Sequence, residues 1–227
     1  MAINLKRTSD VSADGLKALV YGASGVGKTT LIKTMPSPII LSAEAGLLSL
    51  ADTDIPYIEI TTIDELVEAY NWLSSEEADQ YKSVALDSLS EIAEVVLTNE
   101  KKVSKDPRAA YGTLIDKMGE MIRGFRDIKG KHVLFTAKIE KLQDEQGRIL
   151  YGPSMPGKNL PQSLPYFFDM VFAMRAEKND EGETVRALMT ETDGLWQAKG
   201  RTTSATRLEP YEPADMSIII KKLGGKA

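Results

Sequence analysis

The octapeptide Gly22-Ala23-Ser24-Gly25-Val26-Gly27-Lys28-Thr29 matches G-x-x-x-x-G-K-[ST] at every fixed position. This pattern works only in one structural setting, a strand that ends in a glycine-rich turn and runs straight into a helix. The flanks supply that setting. Leu16 to Tyr21 reads as a short buried strand, and Lys28 to about Met35 as a helix stopped by Pro36 and Pro38. The glycines let the backbone curl so that successive N–H groups face inward toward phosphate oxygens, and the helix start adds partial positive charge. Lys28 is expected to reach the β- and γ-phosphates of a nucleotide, with the Thr29 hydroxyl a ligand for Mg²⁺. The expected nucleotide contacts run through Gly22, Ala23, Ser24, Gly25, Val26, Gly27, Lys28, Thr29 and Thr30.

The rest of the chain alternates short apolar runs with longer amphipathic stretches, the pattern of an α/β protein with a mostly parallel sheet. Further strands are predicted at Ile39–Ser42, Tyr57–Ile60, Ser83–Asp87, Lys131–Ala137, Phe168–Met174 and Thr184–Thr190. Thr62-Ile63-Asp64-Glu65 is a capping box opening a helix whose inner face is Leu66, Ala69, Tyr70 and Leu73. A helix is predicted from Ile92 to about Thr98. Asp106-Pro107 starts a long one that Gly130 ends. Asp144-Glu145-Gln146-Gly147 reads as the turn of a hairpin joining Ile139–Leu142 to Arg148–Tyr151. Residues 152–165 hold four prolines and read as a loop, and Pro213 opens a last helix ending at Gly224-Gly225. One domain spans 1–227, with 1–14 as an N-terminal extension and 213–223 as a C-terminal helix.

Composition narrows the chemistry. The chain has no cysteine and a single histidine, His132, so thiolate and imidazole metal sites, cysteine nucleophiles and Ser-His-Asp triads are disfavoured. Lys plus Arg number 28 against 33 Asp plus Glu, a net charge of −5, so any nucleic-acid contact must come from local patches. No apolar run approaches the roughly 18 residues of a membrane span, and the N-terminus lacks a secretory apolar core. A soluble cytosolic protein with no membrane partner is expected.

Hydrolysis of a nucleoside triphosphate also needs a carboxylate on the magnesium side. Ser83-Val84-Ala85-Leu86-Asp87 is an apolar strand ending in Asp, and Asp87 is assigned that role. GTPase markers are missing, since Asp87-Ser88-Leu89-Ser90 is not D-x-x-G and no N-K-x-D occurs. A typical AAA-type ATPase places Glu directly after this Asp to polarise water, whereas this chain has Ser88. The general base must then come from elsewhere. Glu44 is the first choice, because it lies just past the strand Ile39–Ser42 and the C-terminal ends of parallel strands share one rim. Glu91 is the second.

With these residues together, the chain resembles the RecA-type recombinase core over roughly residues 16–222. The likeness rests on the Gly22–Thr29 loop, the second strand ending Ala43-Glu44, and the strand Val84–Leu86 ending Asp87-Ser88. A later strand, Val133 to Lys138, stands where that family carries a γ-phosphate-sensing polar residue, a place that Thr136 or Lys138 would fill. Length and the segment Trp196–Arg201 look most like the short phage-encoded RecA-like ATPases, which include single-strand annealing proteins of the Sak type. The resemblance implies an ATP- and Mg²⁺-dependent protein that self-associates into a ring or filament. Lys199 or Arg201 would reach the γ-phosphate held by the neighbouring subunit.

It also implies two DNA-binding segments, one after the strand ending at Asp87 and one after the strand Val133 to Lys138. Asn99–Arg108 carries Lys101, Lys102, Lys105 and Arg108 against Glu100 and Asp106, and Tyr151–Asn159 is the other. Single-stranded DNA is therefore the expected partner, with a single-strand-binding protein a further one, in a phage or bacterial host cytosol. The rival expectation is a P-loop switch or packaging-type motor whose partner is a protein. A small-molecule kinase is disfavoured because no arginine-rich lid segment is visible.

Overall fold

The computed structural model describes residues 5, 7, 14–44, 46–104, 106–143 and 146–225. The N-terminal extension falls almost wholly outside these residues, as do Lys105 and the hairpin-turn residues Asp144 and Glu145.

Strands β1 (Lys17–Gly22), β2 (Pro38–Ser42), β3 (Tyr57–Glu59), β4 (Ser83–Asp87) and β5 (His132–Gln143) join β7 (Met170–Lys178) in a parallel array. From one edge its order is β3-β2-β4-β5-β1-β7. β8 (Thr184–Met189) and then β10 (Tyr211–Pro213) extend it antiparallel beyond β7. β6 (Ile149–Pro153) folds back on the outer half of β5, and the two-residue β9 (Lys199–Gly200) pairs with the start of β7. This is the expected RecA-like P-loop core, a mostly parallel sheet flanked by helices with a β-hairpin extension.

The middles of the central strands are apolar and buried because both faces are covered. Leu19 and Tyr21 of β1 point into a layer with α2 (Ile63–Leu73), α3 (Leu89–Val103) and α4 (Pro107–Arg126), contributing Leu66, Ile92 and Phe125. Ala18 and Val20 point the other way, toward Leu31 of α1 (Lys28–Leu31) and Ile219 of α6 (Met216–Lys222). The Thr62 capping box is present with both of its reciprocal bonds, and Asp106 caps α4 with Pro107 in the first turn.

Several boundaries differ from expectation. α3 continues to Val103 rather than stopping near Thr98, because Glu100 is buried in its last turn against Lys117 of α4 at 2.6 Å. Lys101 and Lys102 also sit favourably at that helix end. The supposed basic loop Asn99–Arg108 is thus mostly helix plus a short link to α4. α4 ends at Arg126, and Gly130 (φ +70°) serves the turn into β5. Residues 152–165 are not all loop, since α5 (Asn159–Ser163) forms there, with a 3₁₀ turn at Leu164–Phe167. Pro213 ends β10, and Asp215 is the residue that caps α6 through the amides of Ser217 and Ile218.

Candidate nucleotide site

β1 delivers the chain to Gly22 and α1 takes it up at Lys28, so five residues make the turn between them. Gly22 has no room for a side chain, since a Cβ there would lie 2.7 Å from the Met174 carbonyl oxygen of neighbouring β7. Gly25 (φ +72°) and Gly27 (φ +109°) hold left-handed conformations that side chains resist. α1 proper is only four residues long and passes directly into a 3₁₀ turn at Ile32–Thr34, so its macrodipole is small.

Lys28 lies along this loop and donates from Nζ to the carbonyls of Gly22 and Ala23, both at 2.9 Å. Burial holds its ammonium below the ordinary lysine pKa, Asp87 and Glu44 counter that effect, and the cation of Lys138 adds to it. The neighbouring Thr29 donates from Oγ1 to Asp87 Oδ2 at 2.7 Å. Asp87 ends β4 and is 2% exposed, and its second oxygen accepts a short bond from Thr136 of β5. Glu44 stands two residues past β2, whose last residue, Ser42, pairs with Asp87. Its Oε1 accepts from the Ser88 hydroxyl at 2.6 Å.

These groups line one cleft of about 520 Å³. Its walls include Gly22, Ser24, Gly25, Gly27, Lys28, Thr29, Thr30, Glu44, Asp87 and Lys138. Ala23 is exposed on the loop, while Val26 is turned into the core beneath it.

The structure separates candidates that the sequence left open. Of the two polar residues on β5, Thr136 is buried against Asp87, whereas Lys138 faces the cleft. Lys138 is ion-paired with Glu91, and that bond raises its pKa. Of the two candidate bases, Glu44 lines the cleft and Glu91 is engaged by Lys138 beside it.

Lys199 and Arg201 are not in this cleft. β9 pairs with Met170 and Val171 at the start of β7, on the rim opposite the loop. Lys199 Nζ donates to the Pro165 carbonyl at 2.7 Å and lies 5.9 Å from the Tyr166 ring centroid, and Arg201 pairs with Asp169 at 2.9 Å.

Three contacts had no signal in the sequence. They are the Thr136 bond to Asp87, the Ser88 bond to Glu44, and a bond from Arg186 Nε of β8 to the Val26 carbonyl at 2.9 Å.

No three His, Asp or Glu side chains cluster as a self-sufficient metal site among the described residues. The hydroxyl of Thr29 and the carboxylate of Asp87 are nonetheless the hard oxygen donors that Mg²⁺ takes when phosphates complete its shell. No helix among the described residues is long and apolar enough to cross a membrane.

A mostly parallel α/β sheet, a complete phosphate-binding loop after β1 and the acid-ended strand β4, one strand removed from β1 across β5, define a P-loop ATPase domain. The chain belongs to the AAA domain family, whose model matches residues 14–202. No curated protein matches it. Among solved structures, it is similar to a prototypical ATPase from the type III secretion system of pathogenic bacteria. That similarity has 14% identity and a TM-score of 0.47, and covers 71% of this chain and 52% of the other. The chain therefore spans about half the length of that structure.

Proposed function

We propose that the protein binds and hydrolyses ATP with Mg²⁺ and uses the cycle to act on single-stranded DNA in recombination or annealing, as a self-associating ring or filament. Gly22 to Thr30 cradle the triphosphate, with Lys28 on the β- and γ-phosphates. Thr29 and Asp87 would hold Mg²⁺, which neutralises developing phosphate charge when bound. Glu44 takes the proton of the attacking water, and Lys138 senses the γ-phosphate. Lys199 or Arg201 acts on the site of a second copy. Their position on the opposite rim fits a head-to-tail contact.

The observation that carries the DNA part is a chain of contacts running outward from the cleft. Ser90 Oγ accepts from the Lys138 amide and donates to the Ser154 carbonyl. The segment beyond it brings Gly157 against Tyr111 of α4, and Lys101 of α3 lies over the same ring at 5.4 Å. The two segments expected to meet DNA therefore adjoin each other on the side that leads from Lys138. Contacts of this kind would hold a phosphate backbone without reading sequence, and a single-strand-binding protein is a natural further partner in the same cytosol.

The test is ATP turnover and DNA-dependent assembly with and without single strands, with filter binding at two salt concentrations. Stimulation by single strands, with ATP-dependent and salt-sensitive retention, is expected. Turnover indifferent to DNA would remove the recombination role. It would favour the second reading, a switch or packaging-type motor acting on a protein, for which the apolar groove of Leu66, Val67, Tyr70, Met121 and Phe125 is the supporting observation.

A further inference from the structure

Arg186 stands far from the phosphate-binding motif in sequence and directly behind it in space. β8 runs antiparallel to β7, so its first half lies at the rim where β1 ends. Arg186 pairs with Ala176, while Tyr21 of β1 is level with Ala173. Alternate residues of a strand share a face, and Leu188, two residues on, is buried in the layer that holds Val26 and Met174. Arg186 is thus the point on that face where the apolar layer gives way to the loop.

Two contacts follow. Nε donates to the Val26 carbonyl at 2.9 Å. The same side chain also covers Gly27, where a Cβ would lie 3.3 Å from both Cδ and Nε of Arg186 and 3.2 Å from Met174 Cε. The Val26 carbonyl and the Gly27 N–H are the two ends of one planar peptide unit. A guanidinium bound to the outer end fixes the plane of that unit and polarises it, which makes the N–H at the other end a stronger donor. Arg186 is not among the residues that line the cleft, so any effect on a ligand passes through the loop backbone.

We propose that Arg186 is a positioning residue for the triphosphate, holding the Val26–Gly27 peptide with its N–H turned toward the phosphates. Lysine supplies a charge without the flat fork and is a partial substitute. A neutral side chain is none. The inference rests on the nucleotide reading of the cleft, so the wild-type chain and a Lys28 variant belong in its test.

The experiment measures binding of fluorescently labelled ATP and ADP, together with kcat and KM for ATP, in the wild type and in Arg186→Ala, Arg186→Gln, Arg186→Lys and Lys28→Ala. Both neutral variants should bind ATP and ADP about tenfold more weakly, the scale of one charge-assisted hydrogen bond. KM should rise in step while kcat stays within about threefold, the signature of lost ground-state binding. Arg186→Lys should recover part of the affinity. Millimolar guanidinium ion should restore binding to Arg186→Ala and leave Lys28→Ala unchanged. Unaltered affinity in both neutral variants overturns the assignment. So does a loss that neither lysine nor guanidinium ion repairs, which would mark Arg186 as structural packing. A wild-type chain that binds neither nucleotide would remove the nucleotide reading itself, and this role with it.

Discussion

The Ser88 hydroxyl donates to Glu44 Oε1 over 2.6 Å, joining the residue after the strand-ending Asp87 to an acid two residues beyond the adjacent strand β2. The serine hydroxyl thus holds the carboxylate that we propose as the general base. Ser88→Ala should leave ATP affinity near wild type and lower kcat by about tenfold, since a hydrogen-bonded base positioned for proton transfer contributes roughly 10²–10⁴-fold and the variant misaims it without removing it. Steady-state kinetics with a parallel binding titration checks this, and an unchanged kcat would detach Ser88 from the chemistry.

Asp87 has both oxygens engaged, one by Thr29 and one by Thr136, and is 2% exposed. Thr136→Val keeps the shape and removes a donor, leaving a buried carboxylate oxygen unpaired at a cost of about 1–3 kcal/mol. Denaturant unfolding should show that loss. Thr136→Ser, which keeps the hydroxyl, should retain most of the stability. The Mg²⁺ requirement for turnover should shift upward in the valine variant and stay in place in the serine variant.

The loop glycines should respond unequally. Gly27 sits at φ +109° with Met174 and Arg186 side chains at its open face, whereas a Cβ on Gly25, at φ +72°, would meet nothing within 4 Å. Gly27→Ala should therefore cost about 1–3 kcal/mol in backbone strain and depress nucleotide affinity. Gly25→Asn should cost less, because Asn enters the left-handed region more readily. Thermal unfolding of the two variants side by side decides the ranking.

Lys17 gives the pH dependence a sign. Its ammonium donates to the carbonyls of Ile128 and Lys131, and burial lowers its pKa to about 8 from an ordinary value of 10.5, with Asp14 and Asp127 offsetting part of the effect. Between those two values the unfolded chain holds a proton that the folded chain has released, so stability rises with pH through this window. Below pH 8 both states are protonated and the contribution is flat. Measured against Lys17→Met, wild-type stability should gain as pH increases from 8 to 10. Parallel curves would contradict the assignment.

The parts of the fold that sequence made legible are those where local chemistry has one solution. The Gly22–Thr29 loop, the Thr62 capping box, the Asp106-Pro107 helix start and the strand ending at Asp87 all stand where they were read. Boundaries set by tertiary partners were not legible. α3 gains more than a turn because Glu100 finds Lys117 on another helix, and nothing within Asn99–Arg108 signals that pairing. The site behaves the same way. Glu44 could be inferred from the common rim of parallel strands, and the structure brings it to the cleft. Arg186 could not be inferred, because Thr184-Val185-Arg186-Ala187 is ordinary edge-strand sequence until the antiparallel register of β8 is known. Lys199 and Arg201 stand late in the chain, but only the pairing of β9 with the start of β7 shows that they lie away from their own chain's loop.

The most direct measurement is single-turnover ATP hydrolysis by the wild type, Lys28→Ala and Glu44→Gln, with nucleotide binding followed in the same samples. Lys28→Ala should lose both binding and turnover. Glu44→Gln should bind ATP like the wild type while its turnover falls by roughly 10²-fold or more, the contribution of a positioned general base. Glu44→Gln hydrolysing ATP at the wild-type rate would contradict that role, and the proton acceptor would have to be sought at Glu91 or another acid.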